Sequence, residues 1–265
     1  MPQLQDIVRN PLKEKLRRNE IASSMMVRLV RTIEIARIIK TAGFDSFYID
    51  LEHSSITLEA ASQICMAGLE LGLAPMVRVP ANTPEYISRV LDGGALGVIA
   101  PHVDTAEQAA RVVSYAKFAP LGERSANSGL PHLQYRSFPV AQANDALNDA
   151  TMVVVQIETA SALENVAAIS ATPGVDMILV GTNDLLADMG LAGQYEHPVL
   201  REAYGKIIAA CKAAGKFVGV GGLASQPKLA AEFVQLGARY VSTGTDLNFL
   251  AAACAARAKQ VADLR

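Results

Sequence analysis

Residues 174–187 read Gly174-Val-Asp-Met-Ile-Leu-Val-Gly-Thr-Asn-Asp-Leu-Leu-Ala187. The run Asp176–Val180 is too short for a helix, as expected of a strand covered on both faces of a parallel sheet. Gly181 ends it, and Thr182-Asn183-Asp184 place polar groups just before the helix formers Leu185-Leu186-Ala187. The same phrase recurs outward in both directions, at Ser24–Val30, Ser46–Asp50, Ala74–Val79, Gly97–Ala100, Met152–Ile157, Lys216–Val220 and Ala238–Ser242. Amphipathic segments lie between these runs, among them Leu58–Leu71, Ala106–Tyr115, Val199–Ala214 and Leu247–Ala262. Eight strands, each followed by a helix, within about 250 residues fit a (β/α)8 TIM barrel. A doubly wound sheet is the competitor, but no Gly-x-Gly-x-x-Gly turn follows the first strand. The expected architecture is α/β: one TIM-barrel domain over residues 1–265, with an extra N-terminal helix, Leu4–Arg17, across its bottom.

Composition narrows the class. The 265 residues are 51% hydrophobic and 19% charged, and 24 basic against 26 acidic side chains leave a net charge of −2. Such a chain is too apolar to be disordered. With no basic block it is not expected to bind nucleic acid. No apolar run reaches a bilayer span of roughly 18–20 residues, and the first residues lack a secretory signal pattern. A cytoplasmic protein with no membrane partner is expected. Cys65, Cys211 and Cys254 lie far apart in Ala-rich contexts and read as small buried residues, not as disulfides or a zinc site.

Local chemistry marks the helix ends. Thr57, Thr83, Thr105 and Ser225 are placed as N-caps. Glycine follows Ala42, Leu71, Ala214 and Leu236, where a left-handed residue would end each helix. One connection, Ala119 to Ala150, is long enough to be a lid, a binding loop or an interface arm.

In a barrel the chemistry gathers at the C-terminal ends of the strands. Those ends read Asp50-Leu51-Glu52-His53, Arg78, Pro101-His102, Gln156-Ile157-Glu158, Gly181-Thr182-Asn183-Asp184, Gly221-Gly222 and Thr243-Gly244-Thr245-Asp246. Glu158 and Asp184, on neighbouring strands, could share a hard divalent cation, Mg2+ first and Mn2+ or Co2+ as substitutes. Each could instead cap the following helix. His53 offers an imidazole, the side chain suited to proton transfer near neutral pH, unless it is structural. His102 reads as a pocket wall. Arg78 could stabilise a carboxylate or an enolate, or be tied up by Glu52 or Asp92. Gly181-Thr182-Asn183 could cradle a carboxylate with backbone N–H groups. No lysine falls at a strand's C-terminal end, which counts against Schiff-base chemistry.

Ordered segments then resemble one family. They are Ala42-Gly43-Phe44-Asp45 with Ile49-Asp50-Leu51-Glu52-His53, Pro75-Met76-Val77-Arg78-Val79-Pro80, Val155-Gln156-Ile157-Glu158-Thr159, and Gly174-Val175-Asp176 with Val180-Gly181-Thr182-Asn183-Asp184-Leu185. From about residue 20 onward the chain resembles the HpcH/HpaI aldolases, metal-dependent class II pyruvate aldolases. These include the 4-hydroxy-2-oxoheptane-1,7-dioate and 2-dehydro-3-deoxyglucarate aldolases. The resemblance implies Glu158 and Asp184 as metal ligands, His53 paired with Asp92 as the base system, and Arg78 as the enolate-stabilising cation. It implies Gln156 facing the substrate, and Gly181 and Asn183 holding the pyruvyl carboxylate. It also implies a homo-oligomer, a hexamer, with the last helix exchanged.

Two segments depart from relatives: Ala119-Pro120-Leu121-Gly122-Glu123-Arg124-Ser125, where Pro-Pro-x-Gly-x-Arg-Gly is common, and Met26-Val27-Arg28. Both would shape aldehyde specificity or subunit contacts. The expected reaction is reversible cleavage of a 4-hydroxy-2-oxo acid into a 2-oxo acid, pyruvate or a close analogue, plus an aldehyde. The alternatives are a citrate-synthase-like or acyl-CoA lyase activity, and a non-catalytic protein that binds a 2-oxo acid.

Overall fold

The computed structural model describes residues 3–264. Eight parallel strands close into a barrel in sequence order: β1 (Ala22–Val27), β2 (Ser46–Asp50), β3 (Ala74–Arg78), β4 (Gly97–Ala100), β5 (Met152–Ile157), β6 (Met177–Gly181), β7 (Phe217–Gly221) and β8 (Tyr240–Thr245). The expected (β/α)8 barrel is the observed fold. Strand periodicity divides its core in two. Phe47, Ile49, Val77, Val153, Val155, Ile178 and Val180 point outward and pack against the helices. Tyr48, Met76, Val154, Met177 and Leu179 fill the interior with Leu12 and Leu16. Carried upward by two residues, the inward phase brings Asp50, Arg78, Gln156 and Gly181 to the C-terminal mouth.

Beneath that mouth, two hydroxyl pairs tie β8 to β2 and to its neighbour β1. The Tyr48 hydroxyl meets Ser242 Oγ at 3.2 Å, and the Tyr240 hydroxyl donates to Ser24 Oγ at 2.7 Å. All four residues are buried, and each hydroxyl is satisfied by its partner.

Several boundaries differ from the sequence reading. β1 stops at Val27 because the Asp246 carboxylate captures the next N–H groups, those of Arg28, Leu29 and Val30, at 3.0, 3.0 and 2.8 Å. β6 begins after Asp176, whose carboxylate is spent on the Val153 N–H and on Lys13. The single N-terminal helix is two, Leu4–Ile7 and Pro11–Arg17. Pro11 has no N–H and disfavours helix at the preceding residue, so the chain restarts there. Thr57 and Thr105 do cap their helices, accepting from Ala60 and Gln108. Thr83 sits at an N-cap without a side-chain bond, and Gln226 takes the position assigned to Ser225. Gly43, Gly72, Gly215 and Gly237 all have positive φ, as their place after a helix requires.

The long connection packs part of its length away from the mouth where the strands end. Leu130, Leu133 and Leu147 bury with Leu12 and Leu16 at the opposite mouth, so this part of the segment closes the bottom of its own barrel. Cys65 and Cys211 are buried as expected, but Cys254 is exposed on the helix Asp246–Ala262. That helix buries only Asp246, leaving Leu247, Phe249, Leu250 and Val261 exposed. No helix among the described residues is long and apolar enough to cross a membrane.

Asn10 joins the N-terminal segment to the barrel. Its Oδ1 accepts from Lys13 N at 3.0 Å, and its Nδ2 donates to the carbonyls of Leu96 and Ala150 at 3.2 and 2.8 Å. Asn10→Ala removes a cap and leaves buried carbonyls short of a donor, which should cost about 1–3 kcal/mol. Urea unfolding should show this loss as a lowered midpoint with an unchanged slope.

Candidate active site

The inward phase of the strands delivers polar side chains to a cavity of about 240 Å3 at the C-terminal mouth. Arg28, His53, Arg78, Gln156, Gly181 and Asp184 are among the residues that line it, together with Asn183. Arg78 stands at the end of β3, opposite Asp50 at the end of β2. Its Nε and Nη2 donate to Asp50 Oδ1 and Oδ2 at 3.0 and 2.8 Å, and its Nη1 lies 3.1 Å from Glu52 Oε2. Burial works to raise the Asp50 pKa. The bonds from Arg78, and those from the His53 and Glu52 N–H groups, overcome it and hold the carboxyl below its ordinary value. Asp50 was quoted in the strand-end reading but given no role; only its register against Arg78 reveals one.

His53 is more than half exposed, with Nε2 3.7 Å from Glu52 Oε2. Its backbone carbonyl accepts from Arg28 Nη2 at 2.6 Å. Asp92 is elsewhere. It ends the helix Pro84–Asp92, which begins beside the C-terminal end of β3 and runs about 13 Å back toward the other mouth. There its Oδ1 accepts from Arg124 Nη2 at 2.6 Å. A single chain therefore does not pair His53 with Asp92, because the helix between them spans the height of the barrel.

Glu158 follows β5 and is buried. Its Oε1 accepts from the backbone N–H of His102 at 2.6 Å and lies 2.8 Å from His102 Nδ1, while Gln156 Nε2 donates to its Oε2. Desolvation raises its pKa, against the pull of the His102 N–H. His102 also reaches Glu52 Oε1 through Nε2 at 2.8 Å, so one imidazole bridges two carboxylates from a backbone at φ 54°. The pocket-wall reading of His102 missed this bridge, which depends on two strands it does not belong to.

Gly181 opposes the end of β5. A Cβ there would come within 2.8 Å of Gln156 Nε2 and 3.0 Å of Glu158 Oε2. The exposed Asp184, in the first turn of the next helix, Thr182–Asp188, brings a carboxylate into the cavity that Gln156 and Gly181 also line. Among the described residues no cluster of three or more His, Cys, Asp or Glu forms an all-protein cage. Two hard oxygen donors, Glu158 beside the side-chain-free Gly181 and Asp184 in the lining of the cavity, are of the kind that could hold an ion keeping water and substrate oxygens in its shell, as Mg2+ does. Asn183 is held by Tyr195, whose hydroxyl donates to Asn183 Oδ1 at 2.9 Å.

No lysine lines this cavity. Lys117 is buried and its pKa is lowered to about 8 by desolvation, the usual mark of a Schiff-base lysine. It lies at the other mouth, however, where Nζ donates to the carbonyls of Asn148 and Thr151 at 2.6 and 2.5 Å.

Comparison with known proteins agrees with this geometry. The sequence pattern of the family described as HpcH/HpaI aldolase/citrate lyase matches residues 24–253. A 4-hydroxy-4-methyl-2-oxoglutarate aldolase of Hapsidospora irregularis is 42% identical over 91% of both chains. One of Chaetomium globosum is 38% identical over 96% of both. The crystal structure of an HpcH/HpaI aldolase from Desulfitobacterium hafniense DCB-2 superposes with a TM-score of 0.89 at 31% identity, covering 94% of this chain and 96% of that one. The chain belongs to the HpcH/HpaI aldolase/citrate lyase family and is a carbon–carbon lyase of the aldolase type.

Asp50→Asn should cost about 2–4 kcal/mol at pH 7, since it removes the bidentate carboxylate of the buried Arg78 and leaves Glu52 alone to answer its charge. Because the folded-state pKa of Asp50 is lowered, its contribution is full above the ordinary value of 3.8 and is lost as the pH falls through the folded value. Unfolding midpoints of wild type and variant should therefore converge as the pH drops below about 3.8.

Proposed function

We propose that the chain is a divalent-metal-dependent, class II aldolase that reversibly cleaves a 4-hydroxy-2-oxo acid into pyruvate, or a close 2-oxo acid, and an aldehyde or ketone. The observation that carries this reading is Arg78, fixed by Asp50 and Glu52 in the same cavity that receives Asp184 and adjoins Glu158. The names of the two fungal relatives, both aldolases of a 4-hydroxy-2-oxo diacid, support it.

Glu158 and Asp184 are the residues that would hold the cation, with Mg2+ as the first choice. Bound there, the cation would supply Lewis-acid polarisation of the 2-oxo group. Arg78 spends three of its five N–H groups on Asp50 and Glu52, and the remaining two are free to donate to the oxygen on which enolate charge develops. The Asp50 clamp sets that direction before substrate arrives. Gln156, beside Glu158, and Gly181, which leaves the wall open, give the 2-oxo acid its seat, and Asn183 borders it. His53 takes the proton from the C4 hydroxyl. The C3–C4 bond then breaks, its electron pair remains in the enolate, and C4 becomes a carbonyl. Proton return to C3, from His53 directly or through a water, completes pyruvate.

Asp92 can join His53 only across a contact between two copies of the chain. The exposed apolar residues of the helix Asp246–Ala262 support association of copies, and a hexamer is the assembly proposed.

With Mg2+ in deuterated water, the wild type should exchange the methyl protons of pyruvate, read by proton NMR. Arg78→Ala should slow exchange by about a hundredfold or more while leaving Mn2+ affinity nearly intact. Glu158→Gln should weaken Mn2+ binding itself, followed by electron paramagnetic resonance. Normal exchange in both variants would sink the assignment.

A further inference from the structure

Two guanidinium groups line the rim cavity, and they differ in one respect. Arg78 is neutralised by Asp50 and Glu52. Arg28, one residue past the end of β1, makes no ion pair among the described residues. Its recorded side-chain bond is the one from Nη2 to the His53 carbonyl. Four of its five N–H groups are thus left for other acceptors.

The side chain is also held in place from behind. The Asp246 carboxylate grips the backbone N–H groups of Arg28, Leu29 and Val30, which fixes the turn that carries the guanidinium. The His53 carbonyl then sets the direction of one Nη. A half-buried, pre-oriented cation without a counter-charge is an anion site in waiting, and its planar fork matches a carboxylate.

Its position in the barrel says which carboxylate. In the closed strand order β1 stands diametrically across from β5, which leads to Gln156 and Glu158. A substrate whose 2-oxo acid end is seated by Gln156, Glu158 and Gly181 extends across the mouth toward Arg28. The cavity's 240 Å3, roughly eight water volumes, suits a small acceptor.

We propose that Arg28 is the residue that selects the carbonyl acceptor, by binding a carboxylate on it, so that this one side chain holds the half that leaves when the substrate is a diacid. This inference rests on the aldolase reading above. When the C3–C4 bond breaks, its electrons stay with the pyruvate enolate and the C4 hydroxyl proton passes to His53. The new carbonyl compound remains tethered to Arg28 by its carboxylate.

The test is aldol addition of pyruvate, with Mg2+, to glyoxylate and to isobutyraldehyde, a neutral aldehyde of similar shape. The wild type should favour glyoxylate in kcat/KM. Arg28→Gln should lower the glyoxylate-to-isobutyraldehyde ratio by about 10- to 100-fold, and Arg28→Lys, which keeps the charge, should retain part of it. A residue that merely pins the His53 loop would slow both acceptors by the same factor. An unchanged ratio in Arg28→Gln, with wild-type exchange of the pyruvate methyl protons intact, would overturn the role of Arg28 alone. Absence of that exchange in the wild type would overturn the aldolase reading and this inference with it.

Discussion

The site depends on the bidentate contact between Arg78 and Asp50. A guanidinium buried at the top of a barrel is costly unless its charge is answered there. Asp50 answers it in plane from the neighbouring strand, and Glu52 adds a second contact from the loop that follows. The partners of Asp50 extend the arrangement into that loop, since its Oδ1 also accepts from the N–H groups of Glu52 and His53. One carboxylate therefore sets the position of the cation and the path of the chain that presents the imidazole.

Glu52 has two further neighbours. Oε2 faces Arg78 and lies near His53, while Oε1 meets His102, which in turn holds Glu158. A continuous polar network thus runs from β3 through the β2 loop to β5. Side chains joined in this way are over-determined, and a site whose groups must sit within a fraction of an ångström needs that support.

Much of this arrangement could be read from the sequence. Short apolar runs ending in polar residues specified the barrel, and their place at the C-terminal ends of β3 and β5 put Arg78 and Gln156 at the correct mouth, because the parallel strands all end there. The readings failed where a side chain from elsewhere decided the outcome. Asp246 truncates β1 from 218 residues away, Asp176 is drawn out of β6 by Lys13, and Asp50 acquires its role only when β2 and β3 fall into register. The pairing of His53 with Asp92 came from resemblance, which transfers residue identities without saying whether one chain brings them together. Arg28 stood out only within Met26-Val27-Arg28, a segment that departs from relatives; its lack of an ion pair is a property of its surroundings that no local pattern carries.

The two hydroxyl pairs beneath the mouth have a consequence for how substrate range can change. Tyr48 with Ser242 and Tyr240 with Ser24 make a floor of mutually satisfied polar groups. Deepening the chamber would strand at least one buried hydroxyl, whereas altering the collar above it would strand none. Descendants of this sequence are thus free to explore new compounds sideways, through residues of the collar such as Met26 and Arg28, while the vertical dimension stays locked.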